Sequence, residues 1–218
     1  MYRRYWKHFL AISFVVYLSV AVISLLLVLV LGWFGGLIAA IISLIAAFWL
    51  QGALVRAVED VRDGRADLSL GETLQSVRPH LIPLIVAGIL AGLGIALGLV
   101  LLIVPGLILL TWWIVIVPVI VLAQRRAGDS FGRSRELVRG YGWNVFGVIV
   151  LTVLIYIGLS VIVQLLLTPF SDWLEAFLRS VLVGTVATPF LAVAWTLLYF
   201  RLRRAKEEPV AAMPEPAV

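Results

Sequence analysis

The chain has 218 residues, 63% of them hydrophobic and 13% charged, and a mean hydropathy of +1.12. A soluble domain carries about 25% charged residues, so a polytopic membrane protein is the class that fits. The formal net charge of +5 is spread over separate short segments, which argues against nucleic acid as a partner, and the absence of cysteine excludes disulfides, thiol catalysis and Cys-based metal sites.

Of the seventeen Lys and Arg residues, all but Arg179 fall in Met1–His8, Arg56–His80, Gln124–Trp143 and Arg201–Val218. Basic residues mark the cytoplasmic side of a membrane segment, so this distribution predicts three hairpins with both ends of the chain in the cytoplasm. The fold class expected is all-α: six transmembrane helices in a cell (inner or plasma) membrane, with short amphipathic helices at the cytoplasmic interface. Arg3, Arg4 and Lys7 resemble the start of a signal peptide. The apolar stretch behind them runs to about Phe34, too long for a signal core, and reads as a retained first helix.

A crossing needs about 20 apolar residues. Span 1 covers roughly Phe9–Leu31, and Gly32-Trp33-Phe34-Gly35-Gly36 supplies an uncharged turn. Span 2 runs from Leu37 to Val55. Leu81–Ala123 is uncharged over 43 residues, too long for one crossing, and the turn dipeptide Pro105-Gly106 divides it into span 3, Leu81–Val104, and span 4, Leu107–Ala123. Span 5 is Val145–Thr168 and span 6 Val181–Phe200. The transmembrane domain thus occupies residues 1–204, and residues 205–218 read as a disordered cytoplasmic tail. Tyr2, Tyr5, Trp6, Tyr141, Trp143, Trp195 and Tyr199 fall at one interface level, and Trp33, Phe34, Phe170 and Trp173 at the other. Small residues at Gly88-x-x-x-Gly92 and Gly94-x-x-x-Gly98 predict close helix packing, within the monomer or along a homo-oligomer seam.

The two long basic loops resemble each other. Ser69-Leu-Gly-Glu-Thr-Leu-Gln-Ser-Val-Arg78 and Ser130-Phe-Gly-Arg-Ser-Arg-Glu-Leu-Val-Arg139 match at a constant offset of 61. In the second copy Phe131, Ser134, Leu137, Val138 and Tyr141 fall within an arc of about 120°, with Arg133, Arg135, Glu136 and Arg139 around the remainder. Asp129 or Ser130 can cap its start and Gly140 its end. The first loop is charge-balanced, whereas Gln124–Trp143 has five Arg against Asp129 and Glu136. This predicts a helix lying in the headgroup plane, apolar face down, with Arg133, Ser134, Arg135, Arg139 and Trp143 meeting anionic lipid or a membrane-protein partner. A linker helix packed on the bundle is the alternative.

Ile103-Val104-Pro105-Gly106, Trp112, Val117-Pro118-Val119 and Arg133-Ser134-x-x-Leu137-Val138-x-Gly140-x-x-Trp143 together resemble the membrane domain of bacterial glycerophosphoryl diester phosphodiesterases and related stand-alone membrane proteins. The similarity is best over Arg56–Val163. It implies a membrane module without the phosphodiesterase activity, because that soluble catalytic domain uses His, Glu and Asp with a metal. This chain has only His8 and His80, in separate loops.

No nucleotide loop, nucleophile elbow or zinc motif is present, and no enzyme activity, metal or cofactor is expected. Asp172 and Glu175 share a face of a short helix over Ser171–Leu178 and read as a solvated pair. No Asp, Glu, Lys, Arg or His lies within the predicted spans, which argues against ion-coupled transport. The expected function is therefore a non-enzymatic module that binds or organises lipids or partners. The alternative is a permease or channel-like component for a neutral or lipidic solute, with Thr111, Gln164 and Thr188 lining a polar cavity beside Pro118 and Pro189.

Overall fold

The computed structural model describes residues 2–63 and 68–207, without the side chains of residues 2–4, 63 and 172. The described residues are almost all helical, with no strand among them. The elements are α1 (Tyr2–Asp60), α2 (Leu70–Ser76), α3 (Leu81–Leu101), α4 (Ile103–Trp113), α5 (Ile116–Leu122), α6 (Ala127–Val138), α7 (Gly142–Leu167) and α8 (Asp172–Glu207). Five helical stretches are long and apolar enough to cross a membrane, the mark of a multi-pass membrane protein.

α1 is interrupted at Gly32, whose φ of 56° and ψ of −132° are open only to glycine. The chain reverses there: a Cβ at Gly35 would run into the Leu27 backbone, and Phe9 and Ile12 pack on Leu50, Leu54 and Val58. The reversal takes one residue, not the five expected. Beyond span 2, α1 continues to Asp60 and carries Arg62 over the Phe200 ring at 4.5 Å, tying the first loop to the end of α8.

The α3/α4 break lies at Leu102 (φ −157°, ψ 130°), earlier than the expected Pro105-Gly106. Proline fits the first turn of a helix, where its missing N–H has no bond to lose, so Pro105 opens α4 rather than closing α3. Gly106 serves close packing instead: a Cβ on Gly98 would lie 2.9 Å from the Gly106 Cα. Of the four glycines predicted to pack, Gly88 meets Phe48, Gly94 meets Trp113 and Gly98 meets Gly106, while Gly92 faces open space. The second proline has a different effect. Pro118 offers no N–H to the carbonyl of Ile114, and the helix breaks at Ile114–Val115 before resuming as α5.

α8 is a single helix of 36 residues through Pro189, so the short helix expected over Ser171–Leu178 and span 6 are continuous. No glycine or proline interrupts the stretch between them. Ala205–Glu207, expected in a disordered tail, belong to α8, held by Arg203 Nε donating to Glu207 at 2.9 Å; the rest of that tail lies outside the described residues.

Buried side chains gather at one end of the bundle, formed by the start and end of α1, α2, α5, α6, the start of α7 and the end of α8. Leu54, Val58, Val77, Val115, Ile120, Leu137 and Val138 are all but inaccessible there. Tyr199, expected at an interface, is buried with Leu137, Val145 and Leu202.

The candidate lipid site

The loop repeat holds in three dimensions where it matters for packing. Thr73 and Ser134 are fully buried at matching positions, as are Val77 and Val138. His80 N donates to Val77 O and Tyr141 N to Val138 O, each at 2.9 Å, and the following helices begin at Leu81 and Gly142, again 61 apart. Each loop helix is also tied to a tryptophan of an earlier helix: Trp49 Nε1 of α1 donates to Leu74 O at 2.8 Å, and Ser134 Oγ to Trp112 O of α4 at 2.6 Å.

The copies start differently. Ser69 caps α2 in a reciprocal capping box, its hydroxyl accepting from Glu72 N at 3.3 Å while Ser69 N donates to Glu72 Oε2 at 2.8 Å. Those bonds hold the Glu72 carboxyl below its ordinary pKa. Ser130 is instead inside α6, which begins three residues earlier at Ala127 with Arg126 as its N-cap, so neither Asp129 nor Ser130 is the cap. The Ser130 hydroxyl donates back to Ala127 O at 2.6 Å.

The expected orientation of α6 needs correction. Ser134, Leu137 and Val138 are buried against α4, α5, α7 and α8, and Phe131 stands edge-on to Trp113 at 5.0 Å. Apart from the exposed Tyr141, the apolar arc is taken up by the protein, because the bundle supplies an apolar surface and a carbonyl for the Ser134 hydroxyl. It is not free to lie in a lipid surface. Arg133, Arg135 and Arg139 remain on the outer side. Arg133 pairs with Glu136 at 3.3 Å, while neither Arg135 nor Arg139 lies within ion-pair distance of a carboxylate among the described residues.

Arg135 stacks its guanidinium 4.2 Å above the Trp112 ring. Trp112 lines an open groove of about 690 Å³ with Ile108, Thr111, Gly140, Trp143 and Phe146. The groove is walled by α4 and the first turn of α7. Gly140 adopts φ 93°, turning the chain from α6 into α7, and nothing stands within 4 Å of where a side chain on Gly140 or Gly142 would project. α7 starts without a side-chain cap hydrogen bond, which leaves its first amides without a side-chain acceptor at the N-cap. Trp143 is 85% exposed at the groove mouth. Asn144, on the same wall, and the stacking of Trp112 under Arg135 had no local sequence signal, because they join residues far apart in the chain.

Thr111, Gln164 and Thr188 each have their own hydrogen-bond partner. Thr111 Oγ1 donates to Leu107 O at 2.7 Å beside the groove, and the Thr188 hydroxyl shares a 2.8 Å hydrogen bond with Tyr17. Gln164 joins α7 to α8, donating to Glu175 and accepting from Arg179 at 2.6 Å. Glu175 thus bonds across to α7.

His80 stands near Arg56 at the α2/α3 junction. Burial first, and the Arg56 charge second, push its pKa below the ordinary histidine value, and its Nδ1 is buried without a hydrogen-bond partner. No group of three metal-ligating side chains occurs among the described residues. Comparison with protein-family models, with curated proteins and with solved structures finds no match to this chain.

Proposed function

We propose that this protein is a six-crossing, non-enzymatic membrane module that holds an anionic phospholipid in the α4/α7 groove, with its basic loops and both chain ends in the cytoplasm. Three antiparallel pairings support the six crossings. Phe9 packs on Leu54 across the Gly32 turn, Gly94 on Trp113 across the Leu102 break, and Val145 beside Leu202 across the α7/α8 connection. The distribution of basic residues supports the orientation. The resemblance to a phosphodiesterase membrane domain accords with a module of this kind and brings no catalytic residues with it.

The observation that carries the lipid reading is the Arg135 guanidinium stacked on a tryptophan that lines an apolar groove. An acyl chain suits Ile108, Phe146 and the ring of Trp112, while a phosphate suits Arg135, Arg139 and the first amides of α7. Arg133, already paired with Glu136, adds less. Trp143 has the exposure and position of an interfacial anchor. The test is phosphatidylglycerol binding to the purified full chain, followed by native mass spectrometry with phosphatidylcholine as the reference lipid. Arg135→Gln with Arg139→Gln is expected to weaken phosphatidylglycerol retention about tenfold or more and to flatten its salt dependence. Equal retention of both lipids, or no effect of the double change, would overturn the proposal.

A further inference from the structure

The start of α7 is flanked by a groove on each of two sides. One is the α4/α7 groove beneath Arg135. The other, of about 460 Å³, is open to the surroundings and runs between the start of α7 and the end of α8. Asn144 lines both, so the two grooves adjoin at that side chain.

The α7/α8 groove changes character along its length. Tyr141, Asn144 and Arg201 line its loop end, and Leu151 and Leu198 line it deeper between the helices. Arg201 makes no ion pair among the described residues, so it brings an unmatched positive charge to the groove. Gly147 lies on the same wall, and nothing stands within 4 Å of where a side chain on it would project. Glycine inside a helix costs backbone entropy, and no protein neighbour packs into the room it leaves here. An unmatched cation at headgroup level above an apolar cleft is complementary to an anionic lipid.

We infer that a single lipid carrying two phosphates on a short polyol bridge, of the cardiolipin class, sits astride the start of α7. This rests on the lipid reading of the α4/α7 groove and specifies the ligand of that site. One phosphate meets Arg135, the polyol bridge passes Asn144, and the second phosphate meets Arg201. One pair of acyl chains follows Ile108 and Phe146, and the other follows Leu151 and Leu198. A lipid with one phosphate fills one groove and leaves an arginine in the other without an anion. A neutral lipid or an apolar helix leaves both arginines so.

The test adds cardiolipin to native mass spectrometry of the purified full chain with phosphatidylglycerol and phosphatidylcholine. Cardiolipin should be retained at one per chain and about tenfold better than phosphatidylglycerol. Arg201→Gln should remove that advantage. Gly147→Leu, which fills the α7/α8 groove without changing charge, should do the same. Both variants should still prefer phosphatidylglycerol to phosphatidylcholine. Arg78→Gln removes an equal charge at the same end of the bundle from a residue lining neither groove, and should leave cardiolipin retention unchanged. An equal loss in Arg78→Gln would mean that net charge alone draws the lipid, and would overturn the inference. Equal retention of cardiolipin and phosphatidylglycerol, or full cardiolipin retention by a folded Gly147→Leu protein, would do so too. Those outcomes leave the phosphatidylglycerol reading standing, whereas that reading fails separately if the parent protein holds phosphatidylglycerol no better than phosphatidylcholine.

Discussion

The end of the bundle that carries the basic loops and the opposite end are held by different means. At the basic end α2, α5 and α6 wedge between the long helices, and Leu54, Val77, Ile120 and Leu137 are sealed from outside. At the far end Leu29, Val30, Val100, Leu101 and Leu165 are each more than 60% exposed. Acyl chains solvate leucine as well as another helix does, so the far end gains little by burying it and pairs through glycine contacts and the Gln164 bridge. Where loops, lipid heads and water meet, short helices need a core to stay docked. Burial therefore marks the end where the chain must hold irregular structure in place.

The sharpest way to break this contrast is to truncate one leucine at each end. Leu137→Ala is expected to lower the stability of the detergent-solubilised protein by about 2–4 kcal/mol, read as a fall in unfolding temperature. Leu97→Ala, at a position 61% exposed, should change it by less than about 0.5 kcal/mol. Similar losses at both would mean that the far end is packed in the folded protein.

Glycine substitutions give a smaller effect within one helix of the far end. Gly98→Leu forces α3 from the Gly106 backbone and should cost about 1–3 kcal/mol, whereas Gly92→Leu faces open space and should be near neutral. A destabilising Gly92→Leu would point to a neighbour packed on that face, such as a second copy of the chain.

The smallest expected effect is a pH dependence confined to the basic end. His80 has a folded pKa below its unfolded value, so between the two the unfolded chain binds more protons and stability rises with pH. Stability should fall as pH drops below about 6.5, and His80→Gln should flatten that slope in pH-resolved unfolding. The Glu72 carboxyl, held below its ordinary value by Ser69, adds a second loss at more acid pH as it becomes protonated.

The long apolar helices were legible because membrane length and charge spacing act locally. The paired loop repeat was legible for the same reason. Turn positions were less so. Pro105 reads as a breaker in sequence but opens α4, since what decides is whether a proline falls in a first turn or deeper. The face of α6 was identified correctly as apolar, yet its neighbour could not be read. An amphipathic pattern records that one side avoids water, and lipid and protein satisfy that equally. The groove was hidden because Arg135 and Trp112 meet only once α6 has docked on α4.

The one-residue reversal at Gly32 has a companion at Leu102, and only residues 168–171 join α7 to α8. At that end the chain therefore shows its surroundings scarcely any connecting polypeptide. A protease, antibody or partner domain approaching from that side finds almost no loop to grip. Access to the protein runs instead through the lipid beside its helices or from the side where α2 and α6 lie.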